Sequence, residues 1–164
     1  MNENLSEFLN KITNPFKSRI FLFTKLPSAF FSGVRVVLAD EKKCVVSVPF
    51  KWFSQNPFRS TYFACLSMAA EMSTGVLAMA HLFKRTPKVS MLVTRVQGDF
   101  IKKANGRTHF TCEDGILIRQ TIENAILSGE GKIITVKSYG RNAQGEIVAQ
   151  FDITWSFKVK NNPL

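Results

Sequence analysis

The chain has 164 residues, 45% of them hydrophobic, with 15 phenylalanines, 22 lysines and arginines against 12 acids, and a formal charge of +10. That length and apolar content suit one domain with a packed core and exclude a disordered or low-complexity chain. The charge favours anionic partners, but the basic residues are scattered in short pairs such as Lys84-Arg85 and Lys102-Lys103. No basic arm and no helix-turn-helix, RNA-recognition or zinc-finger pattern is present, so no specific nucleic-acid partner is expected.

At the N-terminus, Leu5, Phe8, Leu9 and Ile12 recur at helical spacing. Asn14-Pro15 ends that helix, and a second segment over residues 16–25 stops at Leu26-Pro27. Residues 1–31 are expected to pack as a helical extension on the main body. A membrane-surface role is the alternative, because Lys11, Lys17, Arg19 and Lys25 interleave with Phe16, Phe21 and Phe23. Glu3 and Glu7, with no uniform apolar stretch, argue against a signal peptide. Valine-rich residues 33–39 and 44–50 follow, and the charged turn between them predicts a hairpin.

The stretch from Trp52 to Phe83 dominates the chain. Asn56-Pro57 marks a turn, and Ser60 or Thr61 offers a capping oxygen to a helix. That helix runs to about His81, roughly six turns at ~3.6 residues each. At ~100° per residue from Glu71, one stripe collects Ser60, Ala64, Ser67, Thr74, Gly75 and Ala78, all small. Cys65, Met68, Met72 and Met79 flank it, and Tyr62, Leu66, Ala69, Val76, Leu77 and Ala80 fill the far side. A helix apolar nearly all round is expected to be buried nearly all round, carrying Glu71 inside beside a narrow slot. A sequestered acid is hydrogen-bonded, protonated or kept for chemistry. One reading is a structural Glu satisfied by Ser67, Thr74 or a strand backbone, or facing water at a subunit seam. The other is a general base or nucleophile of raised pKa.

Residues 88–101 then predict a long strand, with Val89, Met91, Val93 and Val96 mostly alternating. Asn105-Gly106 signals a turn into a strand over 107–112. Residues 113–127 predict a helix with Ile118, Ile122 and Ile126 in one stripe, a strand being the competitor. Strands over 132–140 and 146–159, with a turn at 142–145, complete the chain. No apolar run reaches the ~20 residues of a membrane span. Cys44, Cys65 and Cys112 are an odd set without metal spacing and are expected to be reduced packing residues of a cytoplasmic protein. No metal site is expected from two scattered histidines, His81 and His109, and no nucleophile elbow is present. Hairpin-joined strands with one long helix predict an α+β arrangement, an antiparallel sheet burying the helix in its concave face.

This order of elements resembles the hotdog fold, a curled antiparallel sheet wrapped around one long central helix. The run from Asn56 to Glu71, N-P-F-R-S-T-Y-F-A-C-L-S-M-A-A-E, resembles hotdog thioesterases of the 4-hydroxybenzoyl-CoA and phenylacetate-pathway type. In those, an Asn or Gln turn precedes a tight helix start and an acid some fifteen residues on. The segments S-G-V-R-V and S-Q-N-P-F-R-S-T-Y-F most resemble a thioesterase-like branch of that superfamily. The resemblance implies hydrolysis of an acyl-CoA or acyl-carrier-protein thioester, with no cofactor beyond the coenzyme A of the substrate. Glu71 would attack the carbonyl or activate water, Asn56 would orient water or carbonyl, and the N–H of Phe63 or Ala64 would hold the oxyanion. Arg59, Ser60, Ser67, Thr74 and Gly75 would contact the substrate, and Lys84, Arg85, Lys102, Lys103 and Arg107 are phosphate candidates. It also implies a homodimer, or a dimer of dimers, with each site built from two chains. Two departures stand out: the oxyanion positions, often glycine in the family, are Phe63 and Ala64, and Arg59-Ser60-Thr61 replaces the His-Gly-Gly of the phenylacetate branch. An acyl- or CoA-binding protein without turnover is the alternative, followed by a basic nucleic-acid- or membrane-surface-binding protein.

Overall fold

The computed structural model describes residues 3–160, beginning with three helices, α1 (Glu3–Thr13), α2 (Pro15–Lys25) and α3 (Pro27–Ser32). Asn14 caps α2, its side chain accepting from the N–H groups of Phe16 and Lys17, and proline occupies the first turn of both α2 and α3. The short α3 adds to the expected elements, because Pro27 not only stops one helix but pre-sets the backbone of the next. It ends at Gly33, which takes the left-handed φ of 77° typical of a helix terminator. Leu5 and Leu9 of α1 pack on Ala80 of the long helix.

Six strands follow: β1 (Arg35–Ala39), β2 (Cys44–Val48), β3 (Val89–Phe100), β4 (Thr108–Cys112), β5 (Lys132–Arg141) and β6 (Ile147–Val159). They form one antiparallel sheet in the order β1-β2-β4-β5-β6-β3. The first and last hairpins are those the sequence predicts. Asp40 Oδ1 accepts from the N–H groups of Lys42 and Lys43 in one turn, and Asn142 Oδ1 from Gln144 and Glu146 in the other. Asn105-Gly106 is not a hairpin turn. β3 pairs with β6, whereas β4 pairs with β2 and β5, so the connection carries the chain across the sheet. Its Ala104 carbonyl accepts from Thr61 N–H at 2.7 Å, which pins it beneath the segment entering the long helix.

The imperfect alternation in β3 has a local cause. Its register with β6 slips between Val93 and Arg95, so one extra residue enters the strand. Directly paired residues share a face, and Val93 pairs with Trp155 whereas Val96 pairs with Ile153. Val93, Val96 and Phe100 therefore all point to the concave side. Over the other end of that side lies α5 (Gly115–Ser128), with Ile118 and Ile122 fully buried against the core. That burial at helical spacing settles residues 113–127 in favour of helix.

The long helix, α4 (Phe63–Leu82), packs on β2, β4 and β5 and buries Ala69, Ala70, Leu77 and Ala78 completely. Contrary to the expectation for membrane spans, its 20 residues are long and apolar enough to cross a bilayer by length and composition. They are apolar because sheet and helices surround most of them. The cover is incomplete, however: Ala64, Ser67, Met68 and Glu71 remain only half-buried, so the prediction of burial all round fails along one stripe. Cys44, Cys65 and Cys112 are free, buried thiols. Burial pushes the Cys112 thiol up to about 12, and it raises Cys44 as well.

Candidate active site

The entry to α4 begins with Asn56. Its Oδ1 accepts from Phe58 N–H at 3.0 Å, Ser60 N–H at 3.2 Å and Ser60 Oγ at 3.2 Å, folding residues 56–60 around one carbonyl oxygen. Asn56 Nδ2 makes no hydrogen bond among the described residues. The loop forces Arg59, a side-chain-bearing residue, to a left-handed φ of 57°. It also displaces the expected cap. Ser60 is held by Asn56, and Thr61 is extended, bridging to Gln55, so the helix starts at Phe63 and Tyr62 caps it with no side-chain hydrogen bond.

An uncapped start leaves donors free. The first-turn N–H groups of Cys65 and Leu66 reach Tyr62 O at 2.9 and 3.2 Å, while those of Phe63 and Ala64 find no acceptor among the described residues. Beside them, a groove of about 590 Å³ runs between the entry loop and the end of β3. Asn56, Ser60, Phe63, Phe100 and Lys103 line it, with Thr61, whose buried Oγ1 has no hydrogen-bond partner among the described residues. Phe63 stands across Phe100 and Tyr62 at ring separations of 6.3 and 4.8 Å. Lys102 also reaches the groove, but its ammonium is paired with Glu146 at 2.6 Å.

Eight residues further along α4, roughly 12 Å at ~1.5 Å per residue, Glu71 is half-buried. Its carboxylate has neither a hydrogen bond nor an ion pair among the described residues. Burial pushes its pKa up. The neighbouring wall explains its placement. A Cβ on Gly75 would sit 3.2 Å from Glu71 Oε1 and 3.3 Å from Trp155 Cζ2, so the missing side chain lets acid and indole share one turn. Trp155 Nε1 donates to Thr74 Oγ1 at 2.9 Å, and that hydroxyl donates to Glu71 O at 2.8 Å. Of the residues singled out for substrate contact, Thr74 is thus fully buried with its hydroxyl engaged, and Gly75 lies beneath the carboxylate. Ser67 lies half-buried on the same stripe, its hydroxyl donating to Phe63 O at 2.9 Å, and Arg59 is exposed.

The structure therefore makes two groups where the sequence listed one. Asn56, Ser60 and Phe63 meet in the groove with Lys102 and Lys103, and Ala64 presents its free N–H at the same helix end. Glu71, Thr74, Gly75 and Trp155 form a second group further along. The seam from one to the other is open on the sheet side: Val96 and Phe100, although on the concave face, remain 48% and 52% exposed. Lys84 and Arg85 line a separate cleft at the far end of α4, and Arg107 donates to Ser47 at 3.4 Å, so neither joins the groove. Trp155 and Phe100 escaped the sequence reading, and Thr61 entered it only as a candidate cap. The only available signal was that an indole in an alternating strand needs a partner for its N–H.

No curated protein matches this sequence. Among solved structures, a Pseudomonas aeruginosa protein of unknown function, called a probable thioesterase, is similar with a TM-score of 0.76 at 19% identity, over 92% of this chain and 99% of that one. A Chlorobaculum tepidum protein of unknown function gives 0.74 at 17%, covering 89% and 94%. A Haemophilus influenzae thioesterase gives 0.60 at 8%, covering 85% and 88%. At these identities the likeness establishes the hotdog fold. Residues 18–157 match the domain of unknown function DUF4442, and the chain belongs to that family.

Proposed function

We propose that this protein hydrolyses acyl thioesters, of coenzyme A or an acyl carrier protein, at a site completed by a second copy of the chain. The observation that carries the reading is an unpaired, half-buried Glu71 on the same open seam as the free N–H groups of Phe63 and Ala64. At roughly 12 Å apart along one helix, base and oxyanion donors are too distant to act on one carbonyl within a single chain. A second copy running antiparallel would bring its helix start to this Glu71, and this helix start to its own. Strand β3 supports that arrangement. It is a 12-residue edge strand bearing exposed Leu92, Val96 and Phe100, the kind of long apolar edge that persists when another strand covers it.

In the assembled site, Glu71 takes a proton from water as the oxygen adds to the thioester carbonyl. The Phe63 and Ala64 N–H groups, at the positive end of the helix dipole, stabilise the resulting oxyanion. Collapse breaks the C–S bond, and the proton held by Glu71 passes to the leaving thiolate. Asn56 Nδ2 is free to bind water or a substrate carbonyl. Lys103, and Lys102 on releasing Glu146, would take the phosphates of a coenzyme A at the groove. A panel of acyl-CoA substrates assayed for released thiol tests the reading. Turnover that survives Glu71→Gln would overturn the assigned role. One observation favours a second reading: Phe63 stands at the donor end of the groove where a glycine would give a thioester closer access. If CoA thioesters raise Tm while no thiol is released, the protein binds the ligand without turnover.

A further inference from the structure

Helix α2 is amphipathic in the reverse sense. Only Ser18 and Leu22 of its 11 residues are buried, whereas Phe16, Ile20 and Phe23, spaced i, i+4 and i+7, show one apolar side to solvent. The exposed surface continues without a break. Phe23 contacts the rings of Phe30 and Phe31 at 5.1 and 6.4 Å, Phe31 stacks on Phe53 at 5.5 Å, and Phe53 meets Trp52 at 5.4 Å. Phe16 is 75% and Trp52 78% exposed, so the described residues leave the two ends of this surface uncovered. An apolar, contiguous surface of this kind marks an interaction site.

Its charges narrow the partner. The sequence has no acid between Glu7 and Asp40, nor between Glu41 and Glu71. All three elements of the face fall within those intervals. Lys17, Arg19 and Lys25 rise from α2, and Lys51 adjoins the Trp52–Ser54 turn, its ammonium lying against Gly33 at the end of α3. Arg19 covers the ring of Phe30 at 4.4 Å. A second copy meeting this face across a two-fold axis would set cation against cation, with no carboxylate on the face to relieve them. A single-stranded nucleic acid needs open ring faces to stack upon, but Phe23, Phe30 and Phe31 meet one another edge-to-face. An anionic lipid surface supplies both the countercharge and an interfacial layer suited to indole and phenyl rings.

We propose that α2, α3 and the Trp52–Ser54 turn dock this protein on anionic lipid bilayers, the side chains of Phe16, Ile20, Phe23 and Trp52 entering the headgroup boundary and Lys17, Lys25 and Lys51 facing lipid phosphates. The inference is independent of the thioester reading. The full chain is mixed with phosphatidylcholine vesicles with and without 30 mol% phosphatidylglycerol, about a physiological anionic fraction, and bound protein is measured by co-sedimentation. Trp155 is only 3% exposed, so a blue shift and quenching by brominated acyl chains report Trp52. Expected are binding to the anionic vesicles that weakens with salt, and quenching of Trp52. Phe16→Ser with Trp52→Ser should lower the partition coefficient about tenfold or more, and Lys17→Gln or Lys25→Gln roughly fivefold each. These side chains are exposed, so an unchanged Tm will show that the variants fold. Three results would overturn the proposal: no preference for anionic vesicles, bound protein whose Trp52 is not quenched, or a lipid-free Trp52 shift that follows protein concentration and disappears with self-association in Phe16→Ser.

Discussion

The two halves of α4 differ more than their shared apolar composition implies. From Ser73 to Ala78 the helix is sealed: Thr74 hydrogen-bonds Trp155, Ser73 Oγ lies 2.8 Å from Ser138 Oγ, and Ala78 is fully buried, while beyond it α1 covers Ala80. From Phe63 to Glu71 one stripe stays open, ending in free N–H groups at one end and an unpaired acid at the other. A buried polar group finds a partner where the architecture is purely supporting, as Ser73 and Thr74 do, whereas His81 Nε2 at the far end of the helix has none among the described residues. The first half breaks that rule at Phe63, Ala64 and Glu71, with Thr61 Oγ1 just before the helix. The difference separates a scaffold from a surface prepared for something the chain does not itself contain.

Glu71→Gln tests that division most severely. Thioester turnover should fall about 10²–10⁴-fold, the usual contribution of a positioned base, while Tm at pH 7 rises by a few degrees. The sign of the second effect follows from linkage. The folded-state pKa of Glu71 lies above the unfolded value because burial disfavours the charge, so folding carries a penalty that develops as pH rises through the unfolded pKa toward the folded one. The Tm gain of the variant should therefore vanish below about pH 4, near the ordinary glutamate pKa. In the wild type, the acid limb of kcat/KM should have its midpoint above that value. A midpoint below it would detach Glu71 from catalysis.

In the sealed half, Trp155→Phe should cost about 1–3 kcal/mol, since it leaves Thr74 Oγ1 buried without its donor. Urea denaturation measures this, and an effect near zero would mean that Thr74 is not enclosed. On the border between the halves, Gly75→Ala adds a methyl 3.2 Å from Glu71 Oε1 and 3.3 Å from the indole. Stability should drop by about 1 kcal/mol at most, but kcat should fall several-fold because the carboxylate must move. An unaffected kcat would place the reacting position of Glu71 elsewhere. The smallest effect belongs to the entry loop. Arg59→Gly relieves a left-handed arginine and should stabilise the fold by about 1 kcal/mol. A lower affinity for CoA in the same variant would assign Arg59 to ligand, and an unchanged one would leave it a turn residue.

Much of this molecule was legible in one dimension because its signals are local. The hairpin turns at Asp40 and Asn142, the proline and glycine punctuation, and the long apolar helix each depend on neighbours within a few residues. Even the bulge in β3 left its trace as the step from Val93 to Val96. Where distant segments compete for the same backbone, the local signals misled. Ser60 and Thr61 are good caps that do not cap, because Asn56 and the Ala104 carbonyl hold them first. Asn105-Gly106 is a good hairpin turn that joins unpaired strands.

The candidate site divides along the same line. The order of apolar and polar residues sufficed to place one acid in a long apolar helix behind an Asn turn, since helical periodicity is a property of the chain itself. Which parts of that helix are covered depended on the strand order, on Trp155 arriving from β6 to engage Thr74, and on β3 lying at the sheet edge with Val96 and Phe100 of its inner face exposed. Burial is a relation between segments far apart in the chain, so only the folded structure could decide that the first half of α4 faces outward and the second half does not.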